Sequence, residues 1–249
     1  MDHVQSDSPV ASTAPAPAGR PLWARALGIV TSPRSVFEEL AARPSWFWTA
    51  FVVSVVAVVV SFLLWGPVIA PYAVEQASKS PNITPEALSR VETMYSNSAA
   101  HIIGSCFAGL FNLLFIVVTG LVLFAVTSFL MGGKAKVRQA LAVASHAMLV
   151  HIPRALLTMP LAISRQDPSV SLGPGILFPV SEATGFAGKW LANFLAFFDL
   201  FNIWSVALCI LGMSVVSRLP TRQVAVAIVS ALLGLAILFS LLGAAFQPH

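Results

Sequence analysis

Apolar residues in this chain do not alternate with polar ones; they come in long blocks. Five blocks, at 46–65, 102–131, 140–163, 190–216 and 224–246, are separated by stretches that hold most of the prolines and charges. A helix rises 1.5 Å per residue, so a hydrocarbon layer of about 30 Å takes roughly 20 helical residues. Every block reaches that length. Backbone polar groups in lipid must bond within their own segment or around a closed barrel, and the period-two alternation of barrel strands is missing. The pattern therefore predicts an all-α fold, a bundle of five transmembrane helices in a multi-pass membrane protein.

The stretches between blocks carry their own signals. Residues 1–20 (MDHVQSDSPVASTAPAPAGR) are rich in Ala, Pro and Ser and lack the apolar core of a cleavable signal, which predicts a disordered cytoplasmic tail. Residues 21–45 mix charge with apolar side chains. Ser32-Pro33 is a helix start, Glu38 and Glu39 follow in the early turns, and Val36, Phe37, Leu40 and Ala41 gather an apolar side. With Leu22, Trp23 and Leu27 upstream, the segment reads as one or two amphipathic helices lying on the membrane, an anchor for the first span or a docking surface for a partner. Thr84-Pro85-Glu86 opens a helix at 84–97, and LGPGILFPV at 172–180 is too short to span and dips into the interface.

Composition agrees and removes one class. The 249 residues are 57% hydrophobic and 10% charged, where a soluble domain carries nearer a quarter charged residues. The net charge of +4 is a topology signal rather than a nucleic-acid footprint, because the basic residues are spread over connections between blocks. Arg20, Arg25, Arg34, Arg43, Lys134, Lys136, Arg138, Arg218 and Arg222 fall on one set of connections; Lys79, Arg90, Arg165 and Lys189 fall on the other. The positive-inside rule then puts the N-terminus in the cytoplasm and the C-terminus outside. Trp46, Trp48, Trp65 and Trp190 mark block ends. Cys106 and Cys209 lie inside blocks, form no CxxC and read as packing residues.

Chemistry enters at "FFDLFNIW", residues 197–204. Asp199 stands in an apolar block, and ionisable groups there cost several kcal/mol unless they face another polar group or a cavity. Arg154 lies nine residues before the outer end of the third block and Asp199 nine after that of the fourth, so both are expected about 13 Å deep. His151 and Asn202 match one turn deeper, each i, i+3 from its partner on the same helix. Asn112 in the second block reaches a similar level. This intramembrane polar cluster, His151, Arg154, Asp199, Asn202 and Asn112, reads as a packing device first and as a proton or ion relay second. Catalytic signatures are missing: there is no HExxH, GxSxG, SxxK or P-loop, and no second acidic residue sits in a block. No catalytic, cofactor or metal residue is expected.

Three segments resemble the Yip family (Ypt-interacting proteins), in particular its bacterial branch. "SPRSVFEELAARPSWFWTAFVV" is similar to the family's approach to the first span, with a Pro, then a Phe, then a Pro. "FLMGGKAKVRQALAVASHAMLVHIP" is similar to its second-to-third connection, with a glycine turn, a basic stretch and a span with an internal proline. "FDLFNIWSVALCILGMSVVSRLP" is similar to its fourth span, where Asp199 and Trp204 precede a Gly. The resemblance covers roughly residues 30 to 245, and Arg154, directly after Pro153, departs from it. It implies five spans and a cytoplasmic N-terminus, and for eukaryotic relatives association with Rab-type GTPases.

The combined expectation is a non-catalytic protein of the bacterial inner membrane, organising the membrane or scaffolding a partner. The alternative is a small transporter or channel component built on the polar cluster. Expected partners are the lipid bilayer and a protein at the N-terminal segment, with a second copy of the chain as a further candidate.

Overall fold

A computed structural model describes residues 19–80, 82–178 and 183–246. Apart from Gly19 and Arg20, the expected tail of residues 1–20 lies outside the described residues. The described chain is helical, and five helices are long and apolar enough to cross a membrane: Phe47–Ser78, Ser98–Leu130, Val137–Arg165, Leu200–Ser217 and Thr221–Ala245.

Two short helices come first, α1 (Leu22–Thr31) and α2 (Pro33–Ala42). The first span is α3 (Phe47–Leu64), which passes through a π-helical turn at Trp65–Ile69 into α4 (Ala70–Ser78). It therefore runs well past the expected end at residue 65. Pro67 falls in the wider π-helical turn, and Pro71 in the first turn of α4, where a missing N–H costs least. Next is α5 (Pro85–Ser96), where Thr84 Oγ1 accepts from Ala87 N–H at 3.2 Å, so the opening expected from Thr84-Pro85-Glu86 forms.

The second span is α6 (Ser98–Phe124), ending in a π-helical stretch at Ala125–Leu130. The third joins α7 (Val137–Ala147) to α8 (His151–Arg165) through a tight turn at Met148–Val150. A short turn at Pro174–Leu177 follows; Leu177 and Phe178 are exposed there, while Pro179 and Val180 lie outside the described residues. The fourth block divides into α9 (Gly185–Ala196) and α10 (Leu200–Ser217), and α11 (Thr221–Phe246) closes the bundle.

The core lies at one end, around α7. Residues 140–150 are all buried, packed by α3, α6, α10 and α2. Small side chains make this possible: a Cβ on Gly212 would sit 2.6 Å from Val143 Cγ1 and 2.9 Å from the Phe37 ring. Glycine there lets α10 approach both neighbours closely.

Those neighbours include the N-terminal segment, which does more than lie on a surface. Val36, Phe37 and Leu40 of α2 are fully buried against α10 and α7, and Gln139 Nε2 donates to Ala41 O at 2.6 Å. Ser32 stands at the N-cap position of α2 as expected, yet its hydroxyl does not cap it. Arg20, assigned to the tail from sequence, is tied into the fold: its Nε lies 2.8 Å from Glu39 Oε2. Lys134 N–H donates to Ser217 O at 3.0 Å. The three basic connections thus meet at one end of the bundle.

Candidate functional site: the Arg154–Asp199 node

The expected fourth span, 190–216, is not one helix. It breaks beside its carboxylate. Asp199 has extended backbone (φ −71°, ψ 143°) and is the N-cap of α10, its Oδ1 accepting from Phe201 N–H at 2.9 Å. A carboxylate in this position satisfies an orphan donor of the first turn and meets the positive end of the helix dipole. The other oxygen does different work. Oδ2 accepts from Leu172 N–H at 2.8 Å, and Leu200 N–H donates back to Leu172 O at 3.3 Å. The loop before Pro174 is thereby clasped to the start of α10. Gly173 permits the approach, since a Cβ there would lie 3.1 Å from Asp199 Cα and closer still to the Phe198 carbonyl.

Arg154 approaches from α8. Its Nε lies 3.2 Å from Asp199 Oδ1, an ion-pair contact without the alignment of a hydrogen bond. Exposure is unequal: the Asp199 side chain is 0% exposed and that of Arg154 31%. The carboxylate is thus fixed by two backbone donors and a guanidinium. This arrangement positions three chain segments and leaves Asp199 little freedom to serve as a general base.

The other cluster residues divide. His151 is half-buried on α8, with Arg154 and Asp199 as its electrostatic neighbours. Asn202 turns back to the break, where Nδ2 donates to Phe197 O at 3.4 Å; among the described residues no hydrogen bond joins it to His151. Asn112 belongs elsewhere, accepting from Ser54 Oγ at 3.4 Å across α3 and α6. Arg154 and Asp199 therefore meet, but the equal-depth reasoning is corrected: Asp199 sits at a helix start, not nine residues inside a continuous helix.

Sequence reasoning passed over a second polar contact. His146 is fully buried in α7, with Nε2 3.2 Å from Thr49 Oγ1 and Nδ1 2.9 Å from Ala142 O. A carbonyl can only accept, so Nδ1 carries the proton and Thr49 donates to Nε2. The available signal was its setting, "ALAVASHAM", where small residues predict close packing on all sides.

A third node clamps the N-terminal hairpin. Glu39 Oε1 lies 2.8 Å from Arg25 Nη2, its Oε2 2.8 Å from Arg20 Nε, and Arg25 also bonds Ser45. Burial pulls the Glu39 carboxyl upward, but the hydrogen bonds from Arg25 and the Arg20 backbone outweigh it and hold the group below the usual carboxylate range. Among the described residues no three His, Cys, Asp or Glu side chains are grouped to hold a metal.

The model of the Yip1 domain matches residues 27–244, from α1 almost to the end of α11. No curated protein and no solved structure matches the chain.

Proposed function

The chain belongs to the Yip1 domain family, and from that premise we propose that it works without catalysis, as a membrane-organising or partner-binding scaffold. In this reading it resides in the bacterial inner membrane with its N-terminus in the cytoplasm, and its working surface is the α1–α2 hairpin. The observation that carries the reading is the division of labour within that hairpin. α2 is sunk into the bundle through Val36, Phe37 and Leu40, while α1 turns Trp23, Leu27 and Val30 outward, 72%, 61% and 52% exposed. These three are spaced i, i+4, i+7, one stripe of one helix. A helix held by buried anchors and an Arg–Glu clamp presents that stripe at a fixed angle, which costs a partner little ordering entropy.

Photocrosslinking from position 27 tests this. The expected result in native membranes is a discrete protein adduct that disappears in Trp23→Ser while the melting temperature stays unchanged. Lipid adducts alone, in native membranes and pure-lipid vesicles alike, would reduce the hairpin to an anchor and overturn the partner-binding reading.

The alternative, a transporter or channel component, draws on one observation: the fourth span is interrupted at a charged residue, as substrate-binding helices of transporters are. Ion flux in proteoliposomes that Asp199→Asn abolishes would favour it.

A further inference from the structure

A cavity of about 670 Å³ opens beside the π-helical turn at Trp65, far along α3 from the end that meets the hairpin. That volume is in the range of small-molecule sites. Its walls come from the α3–α4 junction, from α5 and from the start of α6. π-helical turns inside helices are frequent at functional sites.

One wall is a ladder of parallel rings. Phe62 stacks on His101 (centroids 4.1 Å apart), His101 on Trp65 (5.4 Å) and Trp65 on Tyr95 (5.5 Å). The ladder's N–H donors are spent on the backbone: Trp65 Nε1 donates to Tyr95 O at 3.0 Å, and His101 Nε2 to Phe62 O at 2.9 Å. Trp65, Tyr95 and His101 line the cavity, joined by apolar Val74. The charged lining residues are two acids, Glu75 and Glu92, with no lysine or arginine among the lining. Glu75 is paired with Lys79 at 2.6 Å, outside the cavity wall, whereas Glu92 stands exposed on α5.

We propose that this cavity binds an organic ammonium group, held between the outer face of Tyr95, the ring that ends the ladder, and the Glu92 carboxylate one turn before it on α5. A π-face attracts a cation through its quadrupole, and alkyl groups on the nitrogen lower its hydration, so aromatic walls take alkylammonium ions in preference to sodium. A carboxylate beside the rings supplies the counter-charge. Two sources present this chemistry at a membrane boundary: the headgroup of a choline or ethanolamine lipid, and a free amine in solution.

The test uses the full chain in maltoside detergent, titrated with tetramethylammonium and followed by saturation-transfer NMR on its methyl signal. Saturable binding is expected, about tenfold weaker in Glu92→Gln and weaker again in Tyr95→Leu. The neutral isostere of choline, 3,3-dimethylbutanol, should compete poorly. Melting temperatures of both variants check that the fold is intact. Nanodiscs separate the sources. If phosphatidylcholine discs suppress the tetramethylammonium signal that phosphatidylglycerol discs preserve, the site takes a lipid headgroup; equal binding in both assigns it to a free amine. No saturable binding, equal binding of the neutral isostere, or an unchanged affinity in Glu92→Gln would each overturn the proposal.

Discussion

The two halves of the third span are held in different ways. In α7 and the turn after it, every residue from 140 to 150 is buried, and the polar contacts are hydrogen bonds, His146 bonding Thr49 and its own Ala142 carbonyl. In α8, Leu156, Leu157 and Ile163 are exposed, and the Arg154–Asp199 ion pair links the helix to the start of α10. One half is fixed by shape on all sides; the other rests one face on the bundle. Where packing surrounds a helix, many small contacts share the load. Where it does not, one electrostatic contact has to fix position, and that contact is also set by what Asp199 does for its own helix.

Phe37→Ala should open a cavity between α2, α7 and α10 and cost about 3–5 kcal/mol, the usual penalty for a buried Phe. Thermal unfolding in detergent reads this. A loss under about 1 kcal/mol would mean the hairpin is only laid against the bundle.

The charged side comes next. Asp199→Ala removes the α10 cap, the Leu172 acceptor and the partner of Arg154 together, and should cost about 2–4 kcal/mol. Asp199→Asn keeps a capping oxygen and should lose roughly half of that, which separates capping from charge. Arg154→Ala should be milder still, because two backbone donors continue to hold the carboxylate. The double variant, Arg154→Ala with Asp199→Ala, should recover about 1 kcal/mol relative to the summed single losses. Additive losses would mean that the ion pair contributes nothing and that α8 is placed by packing alone.

Thr49→Val deletes the hydroxyl facing His146 at nearly constant volume and should cost about 1 kcal/mol, the net value of a buried hydrogen bond.

The smallest effect is a pH dependence at the hairpin. The Glu39 carboxyl is held below its ordinary value of 4.5, so its contribution is present above that value and lost as pH falls through the lowered one. Melting curves from pH 7 downward should therefore show a steeper acid-side loss in the wild type than in Glu39→Gln. Parallel curves would show that the Arg20 and Arg25 contacts do not stabilise the hairpin.

Several features follow from the sequence by itself. The five apolar blocks make the chain an all-α membrane bundle because lipid leaves unsatisfied backbone no other solution. Thr84-Pro85 starts a helix because capping is a local event read from adjacent residues. Asp199 is conspicuous as a lone charge in an apolar block. The sequence could not separate side chains facing lipid from those facing protein, because both surfaces are apolar. The burial of Val36, Phe37 and Leu40 against α10 and α7, with Phe37 on Gly212, was therefore out of reach, as was the setting of His146. The break at Asp199 was hidden for a related reason. "FLAFFDLF" contains no Gly or Pro, and the chain turns there because Leu172, 27 residues upstream, brings its N–H to the carboxylate. Only the tertiary structure decides such a contact, since backbone donors look alike in any sequence and only the fold selects which of them reaches a given acceptor.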